Sequence, residues 1–207
     1  MWFPILITVL AGYLLGNLNG AVCMSTLISH DDVRTHGSGN AGLTNFIRSY
    51  GAASSVLVVL IDFAKTVIAC LVGQLLMTPY NMALEGVMIG AAAVSLGHDF
   101  PALLGFKGGK GILCGLAIAV VADWRCAVFI LALFLVAVLL TRYVSLGSIL
   151  GAVGLGAFFG IVYFDRPVVA IIGVCIGVLA VFMHRANIVR LVKGQERKTN
   201  LFKKDKE

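Results

Sequence analysis

Apolar residues run in long blocks along this chain, and the polar stretches between them are short. The blocks cover residues 2–29, 52–77, 84–96, 112–122, 124–140, 149–164 and 168–183. A helix that crosses a hydrocarbon core of ~30 Å needs about 20 residues. The pattern therefore predicts an all-α, polytopic membrane helical bundle with seven transmembrane helices. Two blocks, 84–96 and 112–122, fall short of a full crossing and are expected as short or broken helices flanking a polar loop. The first block has no basic leader region, its first cation being Arg34, and is expected to be a retained helix.

Composition fixes the class. Hydrophobic residues make up 59% of the chain and charged residues 13%, and the mean hydropathy is +0.98, values outside the range of soluble globular domains. A chain of 207 residues has no room for a separate soluble domain, so 1–207 is expected as one membrane domain with a flexible basic tail over 198–207. The cysteines Cys23, Cys70, Cys114, Cys126 and Cys175 occur singly and read as small buried hydrophobes. Threading the helices leaves Lys65 inside one of them, Arg125 and Arg166 on one face, and every other cation on the opposite face. The cation-rich face is then cytoplasmic, with the N-terminus outside and the C-terminus in the cytoplasm. Lys203, Lys204 and Lys206 in the tail need no role beyond topology and contact with anionic headgroups.

Three polar segments fall on that cytoplasmic face: GSGNAGLTNFIRSYG (37–51), GHDFPALLGFKGGKGI (97–112) and HRANIVRLVKGQERK (184–198). In the second, Lys107 and Lys110 alternate with Gly108, Gly109 and Gly111. A topological anchor has no need of glycine, whereas glycine lets backbone N–H groups approach an anion closely. The spacing is not that of a Walker loop. In the first segment Ser38, Asn40, Thr44 and Asn45 precede Arg48. Ser38, Thr44 and Asn45 serve equally well as caps and turn residues, but the Arg48 guanidinium matches phosphate oxygens two at a time. In the third, His184, Asn187 and Arg190 are spaced to share one helical stripe. An imidazole with a pKa of ~6.5 suits proton transfer near neutrality. Asp62 and Lys65 lie three apart inside a membrane block, where they are expected to pair, face the bundle and support a phosphate site from below. His30, His36, His98 and His184 show no ligand spacing, so no metal or cofactor is expected.

Together these segments resemble the bacterial acyl-phosphate:glycerol-3-phosphate acyltransferases, integral membrane enzymes of phospholipid synthesis. The resemblance covers nearly the whole chain and is carried by GSGNAGLTNFIR, GHDFPALLGFKGGKGI and HRANIVRLVKGQE, with DFAK at 62–65 and YVSLGS at 143–148 in support. It implies transfer of a fatty acyl group from acyl phosphate to the 1-hydroxyl of glycerol 3-phosphate, giving lysophosphatidate and inorganic phosphate. It also implies a multi-pass protein of the bacterial inner membrane whose partners are those two substrates and the lipid bilayer, with no nucleic acid and no obligate protein partner. By motif position, Ser38, Thr44, Arg48 and Lys110 would hold phosphate groups beside Lys107, Gly108 and Gly109, while His184 and Asn187 would address the glycerol moiety and the reacting centre. Asn40 and Asn45 would shape the loop, and Asp62, Lys65, Ser145 and Ser148 would give structural support.

The chain departs from the family's usual pattern at Ala41, where proline is common, at Leu113-Cys114, and across Asn17-Leu18-Asn19-Gly20, where a serine-isoleucine-proline pattern is common. The acyltransferase signature in which aspartate follows histidine by five positions is missing, the places being held by Thr35, Ala41, Leu103 and Val189. The residues alone leave a small anion transporter open. Such a site lies near the bilayer midplane, where this chain offers Asp62 and Lys65.

Overall fold

The computed structural model describes residues 2–199, so Lys203, Lys204, Lys206 and most of the expected tail lie outside the described residues. Ten α-helices follow in order: α1 (Trp2–Asn17), α2 (Gly20–Ser29), α3 (Leu43–Tyr50), α4 (Ser55–Met77), α5 (Ala83–Asp99), α6 (Ile112–Ala122), α7 (Trp124–Thr141), α8 (Val144–Val162), α9 (Pro167–Met183) and α10 (Arg185–Val192). No strand occurs among the described residues. Among the described residues, five helical segments are long and apolar enough to cross a membrane: Trp2–Ser29, Ser55–Tyr80, Ala83–Leu104, Trp124–Thr141 and Val144–Val162. A sixth is formed by α9 and α10 taken together, bent by 56° between them.

The block 84–96 is not a half helix: α5 has 17 residues, because Gly97 and the polar His98 and Asp99 continue it, all three buried against protein. By contrast α6 keeps the expected short length of 11 residues, about 17 Å at 1.5 Å per residue. The start of α8 also lies further forward than the apolar pattern suggests, so that Ser145, Gly147 and Ser148 are helical.

The first block breaks at residues 18–19, where a single helix was expected. Asn19 has extended backbone angles and caps α2, its side chain accepting from the Val22 N–H. The Asn19 amide also donates to the Ala41 carbonyl at 2.9 Å, so two departures from the family pattern meet in one hydrogen bond. Lys65 and Asp62 satisfy the broken ends. The ammonium of Lys65 donates to the Gly16 and Leu18 carbonyls as α1 finishes, and Asp62 accepts from the Gly20 N–H as α2 begins. Each charge thus meets the helix end of opposite partial charge.

Helices α1, α4 and α5 pack tightly together, α7, α8 and α9 follow as a second group, and α6 bridges the two by touching α4, α5, α7 and α8. The close approach of α4 to α5 requires glycine, since a Cβ on Gly73 would collide with the Gly86 carbonyl. The core lies where the groups meet, around Cys70, Met88, Ile118, Leu155, Phe159 and Ile176. Cys114 and Cys126 are buried too, but Cys23 is half-buried and Cys175 faces outward, against the expectation that all five are interior. At the end of the bundle away from the polar segments, Asp123 receives Arg125 and the Tyr163 hydroxyl, and Glu85 receives Arg166.

Candidate active site

The loop between α2 and α3 is shaped from within. Asn45, buried in the first turn of α3, donates to the Val33 and His36 carbonyls and accepts from the Ser38 N–H, all at 2.9–3.0 Å. Gly37 and Gly39 take positive φ to make this turn, and a Cβ on Gly37 would collide with the Asn45 amide oxygen. No side chain caps the start of α3, so its first N–H groups stay free beside the loop. Among the described residues, the Ser38 and Thr44 hydroxyls and the Arg48 guanidinium form no hydrogen bond to protein, and all three side chains are exposed at a cavity.

The glycines of the second segment answer to the end of α5. A Cβ on Gly108 would enter the His98 carbonyl and Pro101, and one on Gly109 would enter the His98 ring. Arg34 ties this loop down through the Leu104 carbonyl at 2.7 Å and the Lys107 carbonyl at 3.3 Å. Asn40 reaches the Gly108 carbonyl at 3.4 Å. Lys107 is exposed, and neither it nor Gly108 or Gly109 lines the cavity, whereas Lys110 and Gly111 do. Lys110 donates to the Asn187 amide oxygen at 2.6 Å. Burial, aided by the nearby Arg190 and Arg48 charges, brings its ammonium down to about 8.

At the bend between α9 and α10, His184 is 4% exposed and donates from Nδ1 to the Ala180 carbonyl at 2.8 Å. That bond puts the proton on Nδ1 and leaves Nε2 with its lone pair. Asn187 is held at both ends of its amide, by Lys110 and by Glu196, to which it donates at 3.0 Å. Glu196 also accepts from Arg190 at 2.7 Å. Burial would raise the Glu196 carboxyl, but Arg190 and Asn187 hold it below the ordinary range.

The three segments meet at one cavity of about 690 Å³. Its polar end carries Ser38, Asn40, Thr44, Asn45, Arg48, Lys110, His184, Asn187, Arg190 and Glu196, and Asp62, Ser145 and Ser148 also reach it. Lys65 does not line it, being 3% exposed and committed to Asp62 at 2.8 Å and to His98 Nδ1 at 2.9 Å. The other end is apolar, between α6, α7, α8 and α9, with Leu116, Ile130, Phe134, Leu155 and Ile176. Glu196 is neutralised by Arg190 and Asp62 by Lys65, which leaves Arg48, Lys110 and the exposed Arg197 as the cavity cations with charge to offer among the described residues.

A family profile described as glycerol-3-phosphate acyltransferase matches residues 6–194. The chain belongs to that family. A glycerol-3-phosphate acyltransferase of Finegoldia magna is 36% identical over 90% of this chain and 91% of its own. One from Anaeromyxobacter dehalogenans is 42% identical over 92% of this chain and 94% of its own. Among solved structures, PlsY, an integral membrane glycerol 3-phosphate acyltransferase in its glycerol 3-phosphate form, superposes with a TM-score of 0.85 at 32% identity, covering 95% of this chain and 96% of that one. Its lysophosphatidic acid form gives a TM-score of 0.80.

Three cavity residues of this acyltransferase escaped the motif reading as site residues. Arg190 stands in the helical stripe without a role as the partner of Glu196, His98 enters only as a metal ligand ruled out by spacing, and Glu196 stands in the third polar segment with no role of its own. The available signal for Glu196 was its being the one acid in that cationic segment.

Proposed function

We propose that acyl phosphate is the donor and that the cavity holds both substrates at once. The phosphates lie between Arg48, Lys110, Ser38, Thr44 and the free N–H groups at the start of α3, and the acyl chain lies in the apolar end. His184 Nε2 takes the proton from the 1-hydroxyl of glycerol 3-phosphate as that oxygen bonds to the acyl carbonyl carbon. The carbon–oxygen bond to phosphate then breaks, and inorganic phosphate leaves with the electron pair. Lys110 and Arg48 offset the charge that develops, and Asn187 keeps Lys110 aimed. Because phosphate is already a good leaving group, no acyl-enzyme is required. The observation that carries this reading is the His184 tautomer: Nδ1 is used by Ala180, so the basic nitrogen is the one left for the cavity that Arg48 and Lys110 share.

The same reading takes the protein as a seven-pass protein of the bacterial inner membrane, with the N-terminus outside and the site and C-terminus cytoplasmic. The cation distribution supports it, and α6, short as it is, is taken as the seventh crossing. Sequestering both phosphorylated reactants at the lipid boundary also argues against a transporter, since the polar groups gather at one end of the helices rather than midway.

The deciding assay gives purified protein labelled glycerol 3-phosphate with either acyl phosphate or acyl-CoA. Lysophosphatidate and phosphate are expected with the first donor only, and folded protein that makes no product from it overturns the assignment.

A pH profile tests the roles. As pH rises through about 8 the unliganded Lys110 loses its charge, so kcat/KM for glycerol 3-phosphate is expected to fall on that side. Lys110→Arg is expected to remove the basic limb, because arginine keeps its charge throughout. A profile flat to high pH contradicts the role given to Lys110.

A further inference from the structure

We infer that Gly115, Gly151 and Leu155 set the length of acyl chain that the enzyme accepts, an inference that rests on the acyl-phosphate reading above. Most glycines of the membrane helices are explained by contact. A Cβ on Gly12, Gly16, Gly73, Gly86, Gly90, Gly97 or Gly177 would strike a neighbouring backbone or side chain. Gly115 and Gly151 are different. A Cβ on Gly115 would meet only Leu155 Cδ1, at 3.6 Å, and one on Gly151 only the Ile130 carbonyl, at 3.6 Å. Both are ordinary contact distances, so packing does not demand glycine at either place, and glycine weakens a helix interior relative to alanine. Both glycines line the cavity. Their missing side chains therefore widen its apolar end, from α6 on one wall and α8 on the other.

The floor is solid. Along α8 the lining runs through Ser145, Ser148, Gly151 and Ala152 and stops at Leu155. Ser145 and Leu155 are ten residues apart on α8, a depth of roughly 15 Å. Leu155 is 3% exposed, Ile130 7% and Ile176 6%, and all three belong to the core that includes the fully buried Phe159. Phe159 does not line the cavity and is pressed against Gly173. Leu131, 42% exposed on the outer side of α7, lines the same cavity. The wall thus opens sideways, letting a lipid-borne chain enter, while the tail ends on Leu155. The two glycines set the width that lets the chain reach that floor.

The test uses full-length enzyme in detergent with glycerol 3-phosphate and either decanoyl or palmitoyl phosphate, reading kcat/KM for each donor. A single methylene in a closed apolar pocket alters discrimination by about tenfold or more. Gly115→Val and Gly151→Val are expected to lower the palmitoyl-to-decanoyl ratio by at least about tenfold, with KM for glycerol 3-phosphate unchanged. Leu155→Ala is expected to raise the ratio, and since it removes a core side chain, the two glycine variants carry the test if it folds poorly. An active enzyme whose ratio stays the same in both glycine variants overturns the inference alone, for the tail would then run out between helices into lipid. A wild-type enzyme inactive with both acyl phosphates overturns the donor reading and the inference with it.

Discussion

Lys110→Ala and Arg48→Ala are each expected to lower kcat/KM by about 10²–10³-fold, the scale of removing one preorganised donor from a developing negative charge. The expectation follows from charge accounting inside the cavity. Arg190 is spent on Glu196 and Lys65 on Asp62, so Arg48 and Lys110, together with the exposed Arg197, supply the field that phosphorylated substrates meet. Their roles differ. Arg48 is exposed and unbonded among the described residues, which leaves the whole guanidinium free for phosphate, and Arg48→Lys should rescue little because an ammonium cannot present two parallel donors. Lys110 is half-buried and aimed by Asn187. Lys107→Ala gives the contrast: its side chain is exposed and outside the cavity, so a much smaller loss is expected despite its place in the same glycine-rich stretch. Arg48 bonds no other element among the described residues, so the melting temperature of Arg48→Ala should not move, whereas Lys110→Ala loses one bond to α10 and should fall slightly. Equal losses at Lys107 and Lys110 would contradict the cavity as described.

Much of the bundle was legible because hydropathy reports which residues lipid can touch, and blocks such as 124–140 touch lipid along most of their length. What the pattern missed is polar but faces protein. His98 and Asp99 lengthen α5 because they pack under the loop of Gly108 and Gly109. Asn17 and Asn19 split the first block because Lys65 and Asp62 of α4 satisfy the freed backbone and the Ala41 carbonyl of the first polar loop holds the Asn19 side chain. Those partners are distant in sequence, the Asn19–Ala41 bond spanning 22 residues, and no local signal announces them. The chemistry was legible for a different reason: cations beside glycines are rare in lipid-exposed sequence, so three such segments stand out. Their glycines carried less information than they seemed to, since Gly108 and Gly109 yield space to His98 rather than to an anion.

Lys65→Met is expected to destabilise the fold by about 3–5 kcal/mol, the usual loss when one member of a buried ion pair is removed. Both members are 3% exposed and 2.8 Å apart, so removing the ammonium strands the Asp62 carboxylate in a nearly dry interior. It also removes the donor for the Gly16 and Leu18 carbonyls, which no longer have helical partners where α1 stops. Asp62→Asn should cost less, because an amide oxygen still accepts from the Gly20 N–H at the start of α2. The double variant Asp62→Asn, Lys65→Met leaves no buried charge, so its loss should fall below the sum of the two single losses. It should not return to zero, since the carbonyls at the break remain unpaired. Thermal unfolding in detergent, read for all four proteins, separates these terms. Strictly additive losses would mean that the pair acts through independent contacts. A Lys65→Met protein with wild-type stability and no turnover would instead place Lys65 in the chemistry and remove it from the support of the broken helix.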